Sequence, residues 1–566
     1  MNSLKTVLTP LFVILLILLA IPASWELLKP SYFTTHDGIG HIIRLQEFDI
    51  ALKDGHFPPR LSKNLMYGYG YYFFNFNYPL VYWLGEAVHL LGANFTISLN
   101  MVSLGSLVLS GITMFLWQRN HWGNWGGLVS GIFYIYAPYR FLNVYVRGAL
   151  AEHLAFVILP LLFMFTEKIA EGESRKRLRY TLLAGVSYAL LVLSHNIMAF
   201  IFTIVLGLFM LFHVLLKKQL VLLLYFTAVG TIGLLLSAFF WIPSLAEKEY
   251  VRLDQTIGKD YPDHFVSPEQ LWQRKWEFGA SIAGSSDEIS FQVGLLHLTA
   301  LLLGTIILFL LWKKHQFRAI HTAFYIGVFF LSIFLMLPYS RLLWDKLPLL
   351  AFTQFPWRFL SWTVLSTSVL AGASVFTINE GAKKLDLKHL SPLIAILVIS
   401  LLLFLSKDYW KVDKRASVDL PSNKPIAGST TWADEQFPIW FEPKPSQIPK
   451  SRVEIVSGEG RVSITSWKTA SHEYKIVSQT PVLVVENTAY YPGWNLQANG
   501  KDLDFSYQDR NFPGRIVYSL PSGSFQITTT FQETPLRKIA NTTSLISLIS
   551  LTTLLSINLL LKKVFW

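Results

Sequence analysis

Long apolar runs constrain this chain more than any other feature of its sequence. Leu8–Ile21, Ile197–Leu216 and Leu393–Leu405 contain no Asp, Glu, Lys or Arg. Runs of this kind are too numerous for a soluble core, and several are long enough to cross a bilayer. Of the 566 residues, 52% are hydrophobic and only 15% are charged. The sequence therefore predicts an α-helical polytopic membrane protein.

The net charge of +12 would favour a nucleic-acid partner in a soluble protein. Here the basic residues lie between apolar runs, where they act as determinants of membrane topology. We therefore expect membrane lipids, and no nucleic acid, among the partners. The chain has no cysteine, which excludes disulfides, thiolate metal sites and cysteine nucleophiles.

The basic clusters predict about twelve transmembrane helices in a cell membrane, with both termini cytoplasmic. The stretch 79–92 is ambiguous; counting it as a span would invert the later basic loops, so we expect an interfacial helix there. Residues 1–23 also fit a cleaved signal peptide loosely. The predicted spans lie near 7–24, 97–117, 122–138, 153–168, 181–195, 197–216, 219–241, 291–312, 320–338, 358–378, 390–406 and 540–561. The clusters placed inside are Lys5, Arg119, Arg175–Arg177, Lys217–Lys218, Lys313–Lys314, Lys383–Lys384 and Lys562–Lys563.

Most of the polar sequence then falls outside the cell. Residues 1–406 form the membrane domain, with a first outer loop at 25–95 and a second at 139–152. Residues 407–538 lose the long apolar runs and gain period-two alternation broken by turn residues, which predicts an extracytoplasmic antiparallel β-sandwich-like domain. Residues 539–566 form a C-terminal transmembrane helix.

The first outer loop holds the sequence His36-Asp37-Gly38-Ile39-Gly40-His41-Ile42-Ile43-Arg44. On a helix, Asp37, His41 and Arg44 would share one face. Such a group could hold a catalytic base beside a cationic phosphate contact, or bind a divalent metal (Mg²⁺ or Mn²⁺) through Asp37, His36 and His41. A structural polar cluster that closes the loop is the alternative.

Other polar residues stand at the outer ends of predicted spans. Glu152 opens an apolar span, where a carboxylate is costly unless it is partnered or functional, and Arg147 is its expected partner. His195 lies between two spans as a turn residue or a ligand. Arg358 could bind a phosphate in bidentate fashion or simply snorkel to the interface.

An aromatic run, Tyr69–Tyr78, follows in the first loop. Its Tyr, Phe and Asn side chains suit a surface that beds into lipid headgroups or a wall on which a sugar stacks.

Taken together, these motifs resemble a bacterial family of membrane proteins described as 6-pyruvoyl-tetrahydropterin-synthase-related, over nearly the whole chain. That family is similar to the GT-C superfamily of polytopic glycosyltransferases. The chain has no trio of histidines spaced like the zinc site of a soluble synthase. The motifs that carry the resemblance are His-Asp-x3-His-x2-Arg from His36, Arg147-Gly-x3-Glu152, His195-Asn196 and Gln354-Phe-Pro-Trp-Arg358.

The resemblance implies a GT-C-like fold and a glycosyltransferase that uses a polyprenyl-phosphate-linked sugar donor. The acceptor would be an extracytoplasmic glycan, lipid or protein. Asp37 and Glu152 fall in the two outer loops where GT-C enzymes carry acidic residues, which makes them the catalytic candidates. His36, His41, Arg44, Arg147, His195 and Arg358 are the candidate substrate and phosphate ligands.

Two other classes remain open. A lipid or polysaccharide transporter would place its charged site near the midplane of the membrane, whereas these acids lie at the outer rim. A non-catalytic envelope-assembly scaffold would depend on residues 407–538 and not on Asp37.

Overall fold

A helical layer and two C-terminal antiparallel sheets make up the computed structural model, which describes residues 2–256, 258–284, 286–312, 315–384, 390–418 and 423–564. The helices are α1 (Asn2–Ser24), α2 (Gly38–Lys53), α3 (Phe73–Phe76), α4 (Leu80–Leu90), α5 (Phe95–Tyr136), α6 (Pro138–Phe141), α7 (Leu150–Glu171), α8 (Ser174–Ser194), α9 (Asn196–Lys217), α10 (Leu222–Leu236), α11 (Ala238–Ala246), α12 (Leu253–Thr256), α13 (Leu295–Trp312), α14 (Gln316–Met336), α15 (Arg341–Lys346), α16 (Pro348–Ala351), α17 (Leu360–Lys384), α18 (Leu390–Ser406) and α19 (Pro535–Val564).

Every predicted span falls on a helix. Over the described ranges, 8 helical segments are long and apolar enough to cross a membrane, and 9 are if α10 and α11 form one bent span. α8 begins with a basic stretch, and the apolar part of α18 is shorter than the others, so neither belongs to this set. Lys313 and Lys314, placed inside by the topology prediction, lie outside the described residues.

The two predicted spans near 97–117 and 122–138 are the arms of one helical hairpin within α5. The chain reverses at Gly123, whose φ of 71° is readily adopted only by glycine. A Cβ on Gly131 would lie 2.7 Å from the carbonyl oxygen of Gly111, so the two arms touch backbone to backbone. Small residues at the contact are what allow two helices in a membrane to approach this closely.

The predicted span at 219–241 is broken. α10 and α11 meet at an angle of 77° at Ser237. The bend leaves backbone groups without helical partners, and side chains from other elements satisfy them: Arg60 donates to the Phe239 carbonyl at 3.1 Å, and the Phe239 N–H donates to Ser544 at 2.9 Å. The break therefore ties this helix pair to the first outer loop and to α19.

The ambiguous stretch 79–92 forms α4, which has 11 residues. At 1.5 Å per residue it is about 16 Å long, roughly half the thickness of the hydrocarbon core. This length agrees with the predicted interfacial helix rather than a span.

The aromatic run does not face lipid or an open sugar site. Tyr71, Tyr72, Phe73, Phe74 and Phe76 are all at most 4% exposed. Tyr72 and Phe76 pack with the C-terminal sheets, and the other three rings pack mainly within the first outer loop. For these five rings, both interpretations of the run as a surface are wrong. The apolar area of these rings is worth more when buried in these contacts than at a headgroup boundary.

The C-terminal region holds the two sheets that the alternating pattern predicts. A five-stranded sheet has the order β4-β5-β10-β7-β8, and a three-stranded sheet has the order β3-β6-β9. In β5 every second residue is buried, as period two requires. The strands are β1 (Tyr32–Phe33), β2 (Arg415–Ala416), β3 (Val453–Ser457), β4 (Gly460–Trp467), β5 (Ser471–Ser478), β6 (Val482–Ala489), β7 (Trp494–Ala498), β8 (Lys501–Asp502), β9 (Arg515–Leu520) and β10 (Gly523–Phe531).

These two sheets begin later than residue 407, the predicted start of the β domain. The described part of 423–452 has no strand and lies along the first outer loop, where the Ile426 N–H donates to Asn64 at 2.7 Å. The pairing of β1 with β2 adds a second tie between that loop and the segment after α18. The region after 406 therefore covers the first loop before it enters the sheets.

Candidate functional site

Asp37 stands at the N-terminal cap of α2 with its side chain exposed. Two backbone hydrogen bonds hold this position against the second outer loop: His36 N donates to the Val146 carbonyl at 3.0 Å, and Asp37 N donates to the Arg147 carbonyl at 2.9 Å. Among the described residues, the Asp37 carboxylate accepts no hydrogen bond. It is free to bind a ligand at the junction of the two loops.

Glycines allow this junction to close. Gly148 has φ 69°, and a Cβ on it would lie 2.4 Å from the Thr35 hydroxyl oxygen. A Cβ on Gly38 would lie equally close to the same oxygen. Both positions therefore exclude larger side chains. Gly148 directly follows a short π-helix, Leu142–Arg147, and π-helical turns are common at functional sites.

Glu152 lies behind the junction, at the start of α7, and is fully buried. One carboxylate oxygen accepts from the Tyr139 hydroxyl and from Asn143 Nδ2 at 3.1 Å. The other accepts from Arg147 Nη1 at 3.0 Å. Three hydrogen bonds thus hold this buried carboxylate, and through them it orients Tyr139, Asn143 and Arg147.

Arg358 approaches the same carboxylate from a short 3-10 helix, Pro356–Phe359, that precedes α17, and its Nε lies 3.7 Å from Glu152 Oε2. Its Nη1 donates to the Thr353 carbonyl at 2.7 Å and to Gln354 Oε1 at 2.8 Å. In the part of the chain that the structure describes, the buried Nε of Arg358 makes no hydrogen bond. A buried guanidinium at the end of a candidate span is suited to binding an anionic ligand.

Arg44 and His41 project from α2 as the helical spacing predicts. Arg44 Nε donates to the Thr430 hydroxyl at 2.8 Å, and its guanidinium lies 4.4 Å from the centre of the Phe73 ring. His41 Nδ1 is 2.9 Å from the Tyr82 hydroxyl. Burial above all, and then the charges of Arg44 and His195, hold the pKa of His41 well below its ordinary value. His41 is therefore neutral.

His195 caps α9, where its Nδ1 accepts from the Met198 N–H at 3.1 Å. Its ring stacks on Tyr78, with the ring centres 4.8 Å apart. Tyr78 lies within electrostatic reach of Asp37, Arg44, Glu152 and Arg358. This tyrosine therefore joins the two halves of the cluster.

Electrostatics confirm that these groups act on one another. Burial acts to lower the pKa of Arg147, but the charge of Glu152, followed by Tyr139 and Asp37, outweighs burial and raises it. Burial likewise acts to lower the pKa of Arg44, and Tyr82 and Asp37 raise it overall. With Arg358, three guanidinium groups therefore face the two carboxylates of Asp37 and Glu152.

The residues predicted to hold Mg²⁺ or Mn²⁺ do not fit that role. His36 and Asp37 are exposed, while His41 is buried with Nδ1 turned to Tyr82. The His36 ring instead approaches the Phe278 carbonyl, with Nε2 3.3 Å from the oxygen. Within the described ranges, these three side chains do not form a group with converging ligand atoms.

Several contributors to the cluster were not predicted. Tyr139 and Asn143 donate hydrogen bonds to Glu152, and the Thr430 hydroxyl accepts one from Arg44. The Tyr82 hydroxyl forms a hydrogen bond with the His41 ring. Tyr139 and Asn143 lie in the predicted second loop, so their proximity to Glu152 could have been inferred from sequence. Thr430 lies in a segment without periodicity, and nothing in its sequence marks it.

Comparison with known proteins places these motifs in context. Residues 74–412, more than half of the chain, match the family described as "6-pyruvoyl-tetrahydropterin synthase related domain; membrane protein". An uncharacterized protein of Lactococcus lactis subsp. cremoris (strain MG1363) is 24% identical over 279 residues. That match covers 47% of this chain and 44% of the relative, so the chain spans less than half of that protein.

Two kinds of solved structure are also similar. ArnT from Cupriavidus metallidurans, in the apo state, has a TM-score of 0.38 and 15% identity, over 64% of this chain and 59% of ArnT. The apo oligosaccharyltransferase of Archaeoglobus fulgidus has a TM-score of 0.44 and 13% identity, over 72% of this chain and 56% of the enzyme. Scores at this level carry no inference about the chemistry of this chain, which must be argued from its own residues.

Proposed function

The chain belongs to the family of membrane proteins described as 6-pyruvoyl-tetrahydropterin synthase related, and from that premise we propose that it is a membrane glycosyltransferase. It takes a sugar from a polyprenyl-phosphate-linked donor and transfers it to an extracytoplasmic glycan, lipid or protein. One observation carries the proposal: the free carboxylate of Asp37 lies beside a buried cluster that holds three guanidinium groups. A base next to a cationic site suits a reaction that deprotonates a hydroxyl and releases a phosphate.

In the proposed step, the oxygen of the acceptor hydroxyl attacks the anomeric carbon of the sugar. Asp37 accepts the proton of that hydroxyl as the attack proceeds. The bond between that carbon and the phosphate oxygen breaks, and its electron pair leaves with the polyprenyl phosphate. Because the attack comes from the face opposite the leaving group, the configuration at the anomeric carbon inverts.

The arginines stabilise the charge that gathers on the phosphate. Arg358 is buried at ion-pair distance from Glu152, and Arg147 is held by Glu152 and by the Trp357 ring, whose centre is 4.6 Å from its guanidinium carbon. Donors fixed in advance in a partly water-free site lower the barrier more than mobile ones do. Glu152 is accordingly a positioning residue, and the catalytic acid–base role belongs to Asp37 alone.

The location suits a lipid-borne donor. Glu152 and Arg358 lie in the first turns of two candidate spans, so the cluster stands at one end of the helical layer. The C-terminal sheets and the first loop are on the same side. We infer that a donor anchored in the outer leaflet reaches the cluster from the membrane while the acceptor enters from outside.

Sugar transfer in purified, detergent-solubilised protein tests the proposal. Polyprenyl-phosphate sugars carrying a radiolabel are supplied with a cell-envelope extract as acceptor. The wild type is compared with Arg358→Gln, which keeps hydrogen-bonding groups at the end of the side chain but removes the positive charge. We expect label to enter the extract with the wild type and at least tenfold more slowly with the variant. No transfer by the wild type from any donor would overturn the proposal and favour a transporter or scaffold.

A further inference from the structure

A second cluster of polar side chains lies at the opposite end of the helical layer. It consists of His121 in α5, Glu167 in α7 and His321 in α14, with one ligand atom from each residue within 4.8 Å of the others. All three are at most 7% exposed. Glu167 comes 15 residues after Glu152 in the same helix, so about 22 Å separates this cluster from the Asp37 site.

The polar atoms of this cluster are not satisfied by the protein. One oxygen of Glu167 accepts from Trp117 Nε1 at 3.0 Å and lies 2.8 Å from His121 Nε2. Among the described residues, its other oxygen and both ring nitrogens of His321 make no hydrogen bond. His321 Nε2 is 3.6 Å from that oxygen, which is too long for a hydrogen bond.

A fourth group points to the same conclusion. His213, from α9, is fully buried and within electrostatic reach of Glu167, His121 and His321. Both of its ring nitrogens also lack a hydrogen-bond partner in the part of the chain that the structure describes. Leaving a buried polar group without a hydrogen bond destabilises the folded state. Several such groups around one carboxylate indicate that a ligand completes the site.

The ligand can reach the cluster. A cavity of about 380 Å³ is lined by His121 and Glu167, and also by Glu171 and His315. Lys168 and Arg318 contribute to its walls, but Arg318 is engaged with the His121 carbonyl at 3.2 Å and with the Phe376 ring. Acidic and imidazole groups thus lead from the cavity to the buried cluster.

We propose that His121, Glu167 and His321 bind a divalent metal ion of the zinc class, with His213 beside them as a further imidazole donor. Imidazole and carboxylate together suit Zn²⁺ and its neighbours, whereas Mg²⁺ and Ca²⁺ prefer sites made of oxygen alone. The metal would bridge α5 and α7 to α14, which lies far from both in sequence. Because it binds only the folded arrangement, it would stabilise that end of the layer.

Metal content after loading with Zn²⁺ and dialysis tests the proposal on the full-length protein in detergent. We expect the wild type to retain zinc in an equimolar amount and His321→Phe to lose it. The phenyl ring keeps the packing of His321 and removes no hydrogen bond, so this variant should fold. His297→Asn is the matched control, since His297 is a buried histidine that pairs with Thr367 at 2.7 Å; it should keep the metal.

Cobalt substitution distinguishes this site from adventitious binding. With Co²⁺ alone, the wild type should show the intense visible bands of a four-coordinate ion, and His321→Phe should not. Equal zinc retention or equal spectra in the two proteins would overturn the proposal, as would a wild type that retains no metal. Neither readout depends on sugar transfer, so this inference and the proposed function fail independently.

Discussion

At the scale of single residues, Glu152 shows how the fold accommodates a charge at the edge of the membrane. Its carboxylate has no exposure and is balanced by Arg147 at 3.0 Å and by Arg358 at 3.7 Å. A buried charge is costly to bring out of water, and removing its partner is costlier still. The sequence pointed to this residue because an acid at the start of an apolar span demands a partner, but it did not reveal that the acid is inaccessible.

Glu152→Gln should therefore destabilise the protein as well as slow the transfer reaction. The amide keeps the hydrogen bonds with Tyr139 and Asn143, but among the described residues it leaves the buried guanidinium groups of Arg147 and Arg358 with no carboxylate at ion-pair distance. We expect the free energy of unfolding to fall by about 3–5 kcal/mol. This loss of stability is measured by thermal unfolding, with tryptophan fluorescence as the signal. Asp408→Asn, which removes an exposed ion pair with Lys411, is the control and should change little; equal stability of both variants would contradict the description of Glu152.

At the scale of elements, the junction of the two outer loops sets the geometry of the site. The backbone bonds from His36 and Asp37 to the second loop require the close approach that Gly38 and Gly148 permit. The shared helical face of His41 and Arg44 agrees with the sequence spacing, whereas the position of Asp37 at the cap of α2 was not predicted. The π-helical turn before Gly148 does not follow from the spacing either, because it arises from contacts between loops that are about a hundred residues apart.

Gly148→Ala should reduce transfer activity by displacing the second loop from Thr35. Gly55→Ala is a matched control, since Gly55 also has a positive φ (84°) but open space around its Cβ. Both variants carry backbone strain of about 1 kcal/mol or more, and only Gly148→Ala adds a steric conflict. Steady-state transfer rates should separate them. Thr35→Ala should partly rescue Gly148→Ala; failure of that rescue would count against the contact.

The sheet domain contains a buried carboxylate whose ionisation supports its fold. Burial acts to raise the pKa of Glu486, but the charge of His472 and hydrogen bonds from His472, Thr529 and Tyr474 lower it overall. Its folded pKa is thus below its unfolded pKa, so its stabilisation is full at neutral pH. The contribution is lost as the pH falls through and below the ordinary value of 4.5.

Hydrogen exchange of the full-length protein tests this pH dependence. Protection of the amides in β5, β6 and β10 should decrease as the pH is lowered from 6 toward 4, after correction for the intrinsic exchange rate. Glu486→Gln should be less protected at neutral pH and should show a flatter dependence. An equally steep decrease in the variant would assign the effect to another group.

At the scale of the whole molecule, Glu247 connects parts of the chain that lie far apart in sequence. Its carboxylate accepts from Arg537 of α19 at 2.9 Å, from Asn75 of the first loop at 2.8 Å and from Tyr491 of the sheet domain at 3.0 Å. Nearby, Arg60 pairs with Glu533 at 3.0 Å. The membrane layer, the first loop and the sheets are thus held together by buried polar contacts.

Arg537→Met should weaken this connection strongly, because it leaves Glu247 charged and buried without its cation. We expect a loss of about 3–5 kcal/mol in unfolding free energy, measured by equilibrium unfolding in mixed micelles. Adding Glu247→Gln removes the unpaired charge while keeping acceptors for Asn75 and Tyr491. The double variant should recover part of the loss. A double variant no better than Arg537→Met would show that the charge is not the cause.

Much of this architecture follows from the sequence. Each span predicted from hydropathy falls on a helix. Alternation predicted β3, β4, β5, β6, β9 and β10, but not β1, β2, β7 or β8. The aromatic run Tyr69–Tyr78 was misread because its composition is the same for a surface at the headgroups and for an interdomain core; only tertiary packing distinguishes them.

The histidine cluster was missed for a related reason. His121, His213 and His321 are about a hundred residues apart, and each is an isolated histidine near the end of an apolar segment.

The most direct test of the central claim is the transfer reaction of Asp37→Asn, with Asp408→Asn as an exposed-aspartate control. The substitution removes the proposed base without disturbing a side-chain hydrogen bond among the described residues. We predict that Asp37→Asn folds and binds the polyprenyl-phosphate donor like the wild type but transfers sugar at least a hundredfold more slowly, while the control is unaffected. Transfer at the wild-type rate by Asp37→Asn would contradict the account.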